Sequence, residues 1–256
     1  MFMDEVIRIE NLSYAYPDGR RALTDISLVI NRGESVAFIG PNGAGKSTLF
    51  LHLNGILPTE DAVRVFTRAI DEKNIREIRR RIGLVFQDPD DQLFSPTVFD
   101  DVAFGPLNLG YSEAEVRQSV ASALEKVGMS GYEPRLSHHL SLGEKKRIAI
   151  ATVLSMSPEV IVMDEPTSNL DPGGKWRLIE ILQKLPVTRI IATHDLELVA
   201  ALCQRVVLLD GGRIVADAPA DRILGDRSLL ESHSLSRPAG FNEASSLPGR
   251  MSPFQG

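Results

Sequence analysis

Short apolar runs recur along the chain, and turn residues bound each of them. The runs cover residues 36–39, 82–86, 160–163 and 189–193. Longer stretches with helical spacing separate them, which is the pattern of buried parallel strands joined by crossover helices. The hydrophobic pattern therefore predicts an α/β fold around a mostly parallel sheet.

Two further pairs of apolar segments lie close together in the sequence. Residues 6–10 and 26–30 flank a loop of turn residues, and residues 206–210 meet 213–216 across two glycines. A short turn between two strand-like segments is typical of an antiparallel hairpin. We therefore expect an antiparallel β addition to the parallel core.

The stretch between residues 112 and 157 changes to helical character. Ser112 and Glu115 form a capping-box pattern, good helix formers follow over residues 114–127, and Gly128 ends the run. This pattern predicts a helical lobe inserted between two strands of the core.

The domain organisation follows from these shifts in composition. Residues 1–228 are predicted to form one domain, with the helical lobe at about 88–157. After residue 228 the chain turns to Ser, Pro and Gly with little periodicity, so 229–256 is expected to be a C-terminal tail, mobile or ordered only by outside contacts.

The composition excludes several classes of protein. Hydrophobic residues make up 43% and charged residues 24%, with a net charge of −6, which argues against a nucleic-acid-binding face. The single Cys203 suits a reducing compartment. No apolar run approaches the ~18 residues of a membrane span, and the acidic start does not resemble a signal peptide. We expect a soluble intracellular protein without its own transmembrane segment.

A phosphate-binding motif follows the apolar run 36–39. The segment fits G-x-x-x-x-G-K-[ST] and precedes a helical run over residues 49–57. Such a loop points backbone N–H groups at phosphates, while Lys46 reaches the β- and γ-phosphates and Ser47 ligates Mg²⁺. The predicted nucleotide-contacting residues are Gly40, Pro41, Asn42, Gly43, Ala44, Gly45, Lys46, Ser47 and Thr48.

A second element of the same chemistry lies at the end of the run 160–163. Asp164 and Glu165 follow four apolar residues, at the strand end where ligands bind in open α/β sheets. Asp164 is predicted to hold Mg²⁺ through water, and Glu165 to face the γ-phosphate and polarise the attacking water.

Further motifs make the chain resemble the nucleotide-binding subunit of an ATP-binding-cassette (ABC) transporter, from about residue 5 to 225. They are the segment 140–147 (LSLGEKKR), which is similar to that family's signature, Gln87 after an apolar run, 168–171 (SNLD) as the D-loop, and 193–195 (THD) with a switch histidine.

The resemblance implies a homodimer that encloses two ATP molecules. In the family, the signature segment starts a helix that points at the γ-phosphate held by the other subunit, so Ser141, Gly143 and Glu144, with Asp171 of the D-loop, are implied to bind the partner's nucleotide. Leu142 stands where the family usually has glycine. As a lone residue, Ser141 would read as a simple helix N-cap.

The resemblance assigns three more site residues. His194 matches the histidine that bridges the γ-phosphate and Glu165, and Gln87 matches the glutamine that touches Mg²⁺ and the water. Lys46, Gln87, Glu165 and His194 are thus the implied catalytic group. Tyr16 resembles the aromatic residue that stacks on adenine, with Tyr14 as the competing candidate.

The acidic segment after Gln87 (88–106) resembles that of energy-coupling-factor transporters, which import metal ions and vitamins. Within that group the short chain is similar to the homodimeric ATPase of cobalt and nickel importers, whereas vitamin-type ATPases usually have a longer C-terminal domain. The implied partners are a transmembrane coupling subunit and substrate-binding membrane subunits, at the cytoplasmic face of the membrane. Asp88, Asp90 and Asp91 could pair with basic residues of the coupling subunit, or could simply be solvated.

Two other classes of function remain as alternatives. One is an ABC protein that acts on DNA or ribosomes, which would usually contain two cassettes or a coiled-coil insertion. The other is a regulatory module that binds ATP without cleaving it, against which Glu165 and His194 argue. The scattered histidines form no metal-binding pattern, so a transported metal is expected to pass through the membrane partners.

Overall fold

The structure, a computed structural model, describes residues 4–59 and 61–235. Strands and helices alternate through most of this part of the chain. The strands are β1 (Glu5–Ala15), β2 (Arg21–Asn31), β3 (Ser35–Ile39), β4 (Val63–Val65), β5 (Arg68–Ala69), β6 (Ile82–Val85), β7 (Val160–Asp164), β8 (Thr188–Ala192), β9 (Arg205–Asp210) and β10 (Arg213–Pro219). The α-helices are α1 (Lys46–Leu53), α2 (Ile75–Arg81), α3 (Val98–Asn108), α4 (Glu113–Lys126), α5 (Leu142–Leu154), α6 (Pro172–Gln183), α7 (Leu196–Leu202), α8 (Ala220–Gly225) and α9 (Arg227–Ser232).

A six-stranded sheet forms the centre of the fold. Its strand order is β10-β9-β3-β8-β7-β6, and all neighbours are parallel except the hairpin of β9 and β10. Strand β3 is buried over its whole length, as expected for a strand covered on both faces. The predicted parallel core and its antiparallel edge hairpin are confirmed.

The N-terminal hairpin belongs to a second sheet. This sheet has four strands in the order β2-β1-β4-β5, all antiparallel, and β1 pairs with both β2 and β4. The predicted hairpin is therefore confirmed, but it is packed against the parallel sheet and not paired to its edge.

Two apolar clusters fill the two faces of the central sheet. Because side chains alternate along a strand, Ala37 and Ile39 of β3 point into the cluster with helices α3 to α9, while Val36 and Phe38 point toward the antiparallel sheet and α1. Burial on both faces fixes the strand register and hence the positions of the loops at the strand ends.

The chain leaves the core after β6 and returns at β7, and α3, α4 and α5 lie between these strands. Helix α4 has the predicted capping box: Ser112 accepts from the Glu115 backbone N–H, and the Glu115 carboxylate accepts from Ser112. Asp101 is buried in this segment and accepts hydrogen bonds from Phe94, Ser95 and Ser137.

The folded part extends beyond residue 228. Helix α9 spans Arg227–Ser232, and Leu230 and Leu235 are buried in the larger apolar cluster. Residues 229–235, assigned to the tail by the sequence, therefore belong to the folded part, because these two leucines pack on the core. Residues 236–256, the rest of the predicted tail, lie outside the described residues.

Candidate functional site

The loops that follow β3, β6, β7 and β8 meet at one edge of the central sheet. Because these strands are parallel, their carboxyl ends share that edge, where ligands bind in open α/β sheets. The loops border a cleft of about 320 Å³. Its lining is Tyr16, Arg20, Arg21, Ala22, Asn42, Gly43, Ala44, Gly45, Lys46, Ser47, Thr48, Gln87, Asp164, Glu165 and His194.

The phosphate loop follows β3 and leads directly into α1, which begins at Lys46, earlier than the predicted helix. Gly43 and Gly45 have φ of 80° and 105°, the left-handed region that favours glycine. A Cβ on Gly45 would lie 2.6 Å from the carbonyl oxygen of Ala22. The conformation thus requires glycine, and the N-terminal amides of α1 face the cleft as an anion site does.

Lys46 is held at the mouth of this loop. Its Nζ donates to the carbonyl oxygens of Gly40, at 2.7 Å, and Pro41, at 3.0 Å. Burial lowers the pKa of the Lys46 ammonium, and the carboxylates of Glu165 and Asp164 oppose this shift. Gly40 and Pro41 therefore position the lysine and do not line the cleft themselves.

Ser47, Asp164 and Gln87 offer a set of hard oxygen donors. All three side chains line the same cleft. Burial raises the pKa of Asp164, while the Ser47 hydroxyl and the ammonium groups of Lys46 and Lys146 act in the opposite direction. A hydroxyl, a carboxylate and an amide oxygen fit Mg²⁺, which prefers oxygen ligands and usually keeps several waters.

Glu165 and His194 contact each other in the cleft. The Glu165 Oε1 atom lies 2.8 Å from His194 Nδ1 and accepts from the His194 backbone N–H at 3.1 Å, and Oε2 accepts from Thr193 at 3.2 Å. Glu165 is buried, whereas the His194 side chain is largely exposed. Glu165 has a φ of 45°, uncommon for a residue with a side chain.

The aromatic side chain at the cleft is Tyr16. Its hydroxyl lies 3.0 Å from Thr48 Oγ1, and the Arg20 guanidinium lies 5.0 Å from its ring centre. Tyr14 packs on the buried His52 with ring centres 4.8 Å apart and does not line the cleft. The geometry favours Tyr16 over Tyr14 as the base-stacking residue.

Ser141, Gly143, Glu144 and Asp171 do not line this cleft. Ser141 caps α5 in a capping box with Glu144, whose carboxylate also accepts from the Tyr132 hydroxyl at 2.9 Å. The hydrogen bonds from Ser141 lower the pKa of Glu144. Asp171 caps α6 by accepting from the backbone N–H of Gly174. Within one chain Ser141, Glu144 and Asp171 thus serve to cap helices, and the neighbouring Leu142 is exposed.

The sequence does not reveal four residues of the site. Arg20, Arg21 and Ala22 line the cleft because the β1–β2 hairpin packs against the phosphate loop. Lys146 is buried and contacts two of the loops that border the cleft, those after β6 and β7. No motif spacing points to the hairpin, and a lysine on a helix is usually solvated.

Asp195 anchors the loop that holds His194. It caps α7, accepts from Thr167, and pairs with Lys175 at 2.8 Å. Burial raises the pKa of Asp195, but the Lys175 ammonium and the other hydrogen-bond donors lower it by more. The pKa of Asp195 therefore lies below its ordinary value. The ionised Asp195 therefore stabilises the fold above its unfolded pKa, and this contribution is lost as pH falls through the folded pKa.

We predict that Asp195→Asn lowers the free energy of unfolding at pH 7 by about 1–3 kcal/mol, because a charged hydrogen bond is lost while the cap acceptor remains. Denaturant titrations of the variant and the wild type at pH 7 and below pH ~4 measure the free energy of unfolding. The difference in free energy of unfolding between variant and wild type should be smaller at the lower pH. A difference that is the same at both pH values would show that the ionised carboxylate does not stabilise the fold.

The cleft and the sheet define a P-loop nucleoside triphosphatase. A family model described as "ABC transporter" matches residues 23–168, more than half of the chain. The chain belongs to the ABC transporter family and is an ATPase of that family.

Several known proteins are similar to this chain over most of its length. The energy-coupling factor transporter ATP-binding protein EcfA from Methanothermobacter thermautotrophicus is 52% identical over 239 residues, 91% of this chain and 77% of that protein. The structure of cbiO1 from Clostridium perfringens, part of the ABC transporter complex cbiONQ, has a TM-score of 0.79 at 40% identity, over 90% of this chain and 94% of that one. A dimeric post-hydrolysis state of the ATP-binding cassette MJ0796, bound to ADP and Pi, has a TM-score of 0.74 at 27% identity. The match covers 84% of this chain and 98% of that one.

These findings confirm the predicted ABC ATPase fold and the ATPase activity, with ATP and Mg²⁺ as its nucleotide and metal. Among residues 4–59 and 61–235, no helix has the length and apolar character needed to cross a bilayer. In the same residues, His, Cys, Asp and Glu side chains form no group of three that could hold a metal ion.

Proposed function

We propose that this chain is the ATP-hydrolysing subunit of an energy-coupling-factor importer for a transition-metal ion, cobalt or nickel. The observation that carries the proposal is the likeness to cbiO1, which extends over 90% of this chain and belongs to a cbiONQ transporter complex. The energy-coupling-factor name of a relative at 52% identity supports the transporter class. That name states no cargo, so an importer of a vitamin is the alternative.

Nucleotide binding is assigned to the cleft described above. The amides of the phosphate loop and Lys46 would hold the β- and γ-phosphates, and Tyr16 would stack on the adenine, a contact worth ~1–3 kcal/mol by analogy with base–aromatic stacking. Ser47 and Gln87 would ligate Mg²⁺ directly and Asp164 through water. The bound Mg²⁺ supplies charge neutralisation on the phosphate oxygens.

Hydrolysis is assigned to Glu165 and His194. The Glu165 carboxylate is buried and fixed by hydrogen bonds from Thr193 and His194, so it is positioned to accept a proton from a water that attacks the γ-phosphate. His194 lies 2.8 Å from this carboxylate and extends into the cleft, where it would contact the γ-phosphate.

The complete site is proposed to need a second copy of the chain. Ser141 and Gly143 stand at the N-terminus of α5, where free amides attract an anion, yet they do not line the cleft of their own subunit. In a homodimer each α5 would face the partner's nucleotide, with Glu144 and Asp171 beside it. ATP binding would then close the dimer, and hydrolysis would release it.

An exposed apolar patch marks the surface proposed to contact the transmembrane coupling subunit. The patch consists of Phe94, Phe104 and Leu107, which are 67%, 51% and 58% exposed, with the two phenyl rings 5.0 Å apart. Patches of large apolar side chains on a surface mark interaction sites. The exposed Asp100 lies one turn before Phe104, so an amphipathic helix with basic residues on the cytoplasmic side of the membrane subunit fits this surface.

The acidic cluster expected at this interface is exposed. Asp90 pairs with Lys145 at 2.6 Å, Asp88 accepts from the Asp90 backbone N–H, and all three carboxylates still face solvent. Pairing of this cluster with basic residues of the coupling subunit therefore stays a prediction, to which the apolar patch adds a second proposed contact.

We expect Phe104→Ser to weaken co-purification with the membrane subunits about 10-fold or more, because aromatic side chains dominate interface energies. Because Phe104 is exposed, ATP hydrolysis by the isolated chain should not change. Val215→Ser, at an exposed apolar position on β10, serves as the matched control. Equal co-purification of both variants would place the docking surface elsewhere.

The transport function is tested by co-expressing the chain with the membrane subunits encoded beside it and measuring uptake of radioactive cobalt, nickel and vitamins. Cobalt or nickel uptake that is lost with Lys46→Ala supports the proposal. Uptake of a vitamin alone supports the alternative. Absence of ATP-dependent uptake of any of them, by a complex that hydrolyses ATP, contradicts both.

A further inference from the structure

Lys146 is a buried cation that the nucleotide site does not use directly. It lies on α5, between the exposed start of that helix and its apolar interior, and only 5% of its surface is exposed. Lysine is almost never fully buried without partners, because desolvating an ammonium group is costly. The partners of Lys146 therefore indicate what the residue is for.

The three N–H groups of this ammonium reach three acceptors on two loops, the one after β6 and the one after β7. Nζ donates to the carbonyl oxygen of Glu165 at 3.0 Å, to Ser168 Oγ at 3.0 Å and to the carbonyl oxygen of Gln87 at 3.2 Å. Every donor of the ammonium is thus satisfied. Burial lowers the pKa of Lys146, and the carboxylates of Glu165, Asp88 and Asp164 oppose this shift.

The contact with Glu165 acts on its backbone. The Glu165 carbonyl oxygen accepts from Lys146 Nζ, from the Ser168 hydroxyl at 2.9 Å and from the Ser168 backbone N–H at 3.2 Å. The φ of 45° at this residue is unfavourable and persists only where surrounding contacts hold it. Because that backbone conformation sets the direction of the side chain, these donors aim the Glu165 carboxylate at His194.

The position of Lys146 along α5 connects this contact to the start of the helix. Ser141 caps α5 five residues earlier, so the same rigid helix has one end at the proposed dimer interface and, little more than one turn later, an ammonium on the loops of its own subunit. A small displacement of α5 would stretch all three hydrogen bonds together.

We propose that Lys146 is a positioning residue that couples the placement of α5 to the hydrolytic arrangement of Glu165 and Gln87 in the same subunit. The inference rests on the proposed roles of Glu165 and of Ser141. Lys146 itself would contact neither the nucleotide nor the attacking water. It sets the direction of the Glu165 carboxylate and the position of the Gln87 loop, so the state of one nucleotide site is transmitted to the other.

The test measures kcat and KM for MgATP hydrolysis and the Kd for MgADP with the purified full-length chain. Lys146→Met should lower kcat about 10-fold or more, since a misplacement of ~1 Å can cost 10²-fold, while KM and Kd stay within about 3-fold. Lys145→Met is the matched control, because Lys145 lies on the same turn and pairs only with the exposed Asp90. We expect its kcat within about 2-fold of the wild type.

A double-mutant cycle separates positioning from general disturbance of the fold. Ser168→Ala removes a partner of Lys146 and a donor to Glu165, so it should lower kcat by itself. The double variant should have a kcat no more than about 2-fold below that of Lys146→Met alone, because both substitutions act through the Glu165 carbonyl oxygen. If Lys146→Met does not fold, Lys146→Gln, which keeps amide donors, and Ser168→Ala carry the test, both with reduced kcat and unchanged Kd.

Three results would overturn the inference: equal kcat for Lys146→Met and Lys145→Met, a loss of MgADP affinity in proportion to the loss of kcat, or additive effects in the cycle. Wild-type kcat in both Lys146→Gln and Ser168→Ala would do the same. Glu165→Gln is measured alongside. Retained turnover there would contradict the role of Glu165 itself, and no membrane subunit or cargo enters either measurement.

Discussion

Glu165→Gln should reduce ATP hydrolysis about 100-fold or more while ATP binding is retained. The amide keeps the size of the side chain but cannot accept a proton from the attacking water. Lys46 and the phosphate loop are unchanged, so the nucleotide still binds, and the dimer should remain closed with ATP. Single-turnover hydrolysis and nucleotide binding, measured on the purified chain, check both parts.

Glu197→Gln is the matched control for this experiment. Glu197 lies on α7, after the neighbouring strand β8, where it is exposed and pairs with Lys175 outside the cleft lining. Its turnover should equal that of the wild type within about 2-fold. Wild-type turnover in Glu165→Gln would remove the carboxylate from the proposed mechanism and leave His194 as the remaining candidate base.

Ser141→Arg should abolish ATP-dependent dimerisation in the Glu165→Gln background. Arginine would place a bulky cation where the partner's γ-phosphate is proposed to meet a hydroxyl and backbone amides. The phosphate loop of each chain is unaffected, so ATP binding to the monomer should persist. Size-exclusion chromatography with and without MgATP measures the effect.

The chain provides a matched control for the loss of the cap. Ser112 caps α4 with the same capping box as Ser141 caps α5, so Ser112→Arg also loses about 1 kcal/mol of helix capping, but away from the proposed interface. Ser112→Arg should dimerise normally. Equal dimerisation of both variants would show that Ser141 does not reach a partner.

Complementation gives a second measure of the composite site. In a mixed dimer of Ser141→Arg and Lys46→Ala, both defects fall on the same nucleotide site, and the other site keeps all its direct contacts. Hydrolysis by the mixture above that of either variant alone supports two sites shared between two chains. No recovery, together with normal dimerisation of Ser141→Arg, would contradict the shared site.

The parts of the site that depend on local sequence were predictable. The phosphate loop, Asp164 and Glu165 each follow a buried apolar strand, and the carboxyl ends of parallel strands must meet at one edge. The resemblance to a family added Gln87 and His194, which single residues in loops do not reveal. The pattern also gave the helical character of the segment that contains α4 and its cap.

The rest depends on tertiary contacts that have no local signature. Arg20 and Arg21 line the cleft only because a hairpin from the second sheet packs beside the phosphate loop. The sequence does not show that Asp90 has a partner within the chain, because only folding brings Lys145 close to it. Residues 229–235 were assigned to the tail because α9 is a single short helix, and only the folded chain shows Leu229 and Leu230 packed on the core.

The backbone at Glu165 implies a compromise between activity and folding. A left-handed conformation costs on the order of 1–3 kcal/mol for a residue with a side chain. Burial raises the pKa of the neighbouring Asp164, and repulsion from the Glu165 carboxylate adds to that shift. Both costs fall on the folded state alone. Under the proposed mechanism, glutamate at this position thus exchanges folding stability for turnover, and a smaller, neutral residue would suit thermal resistance better.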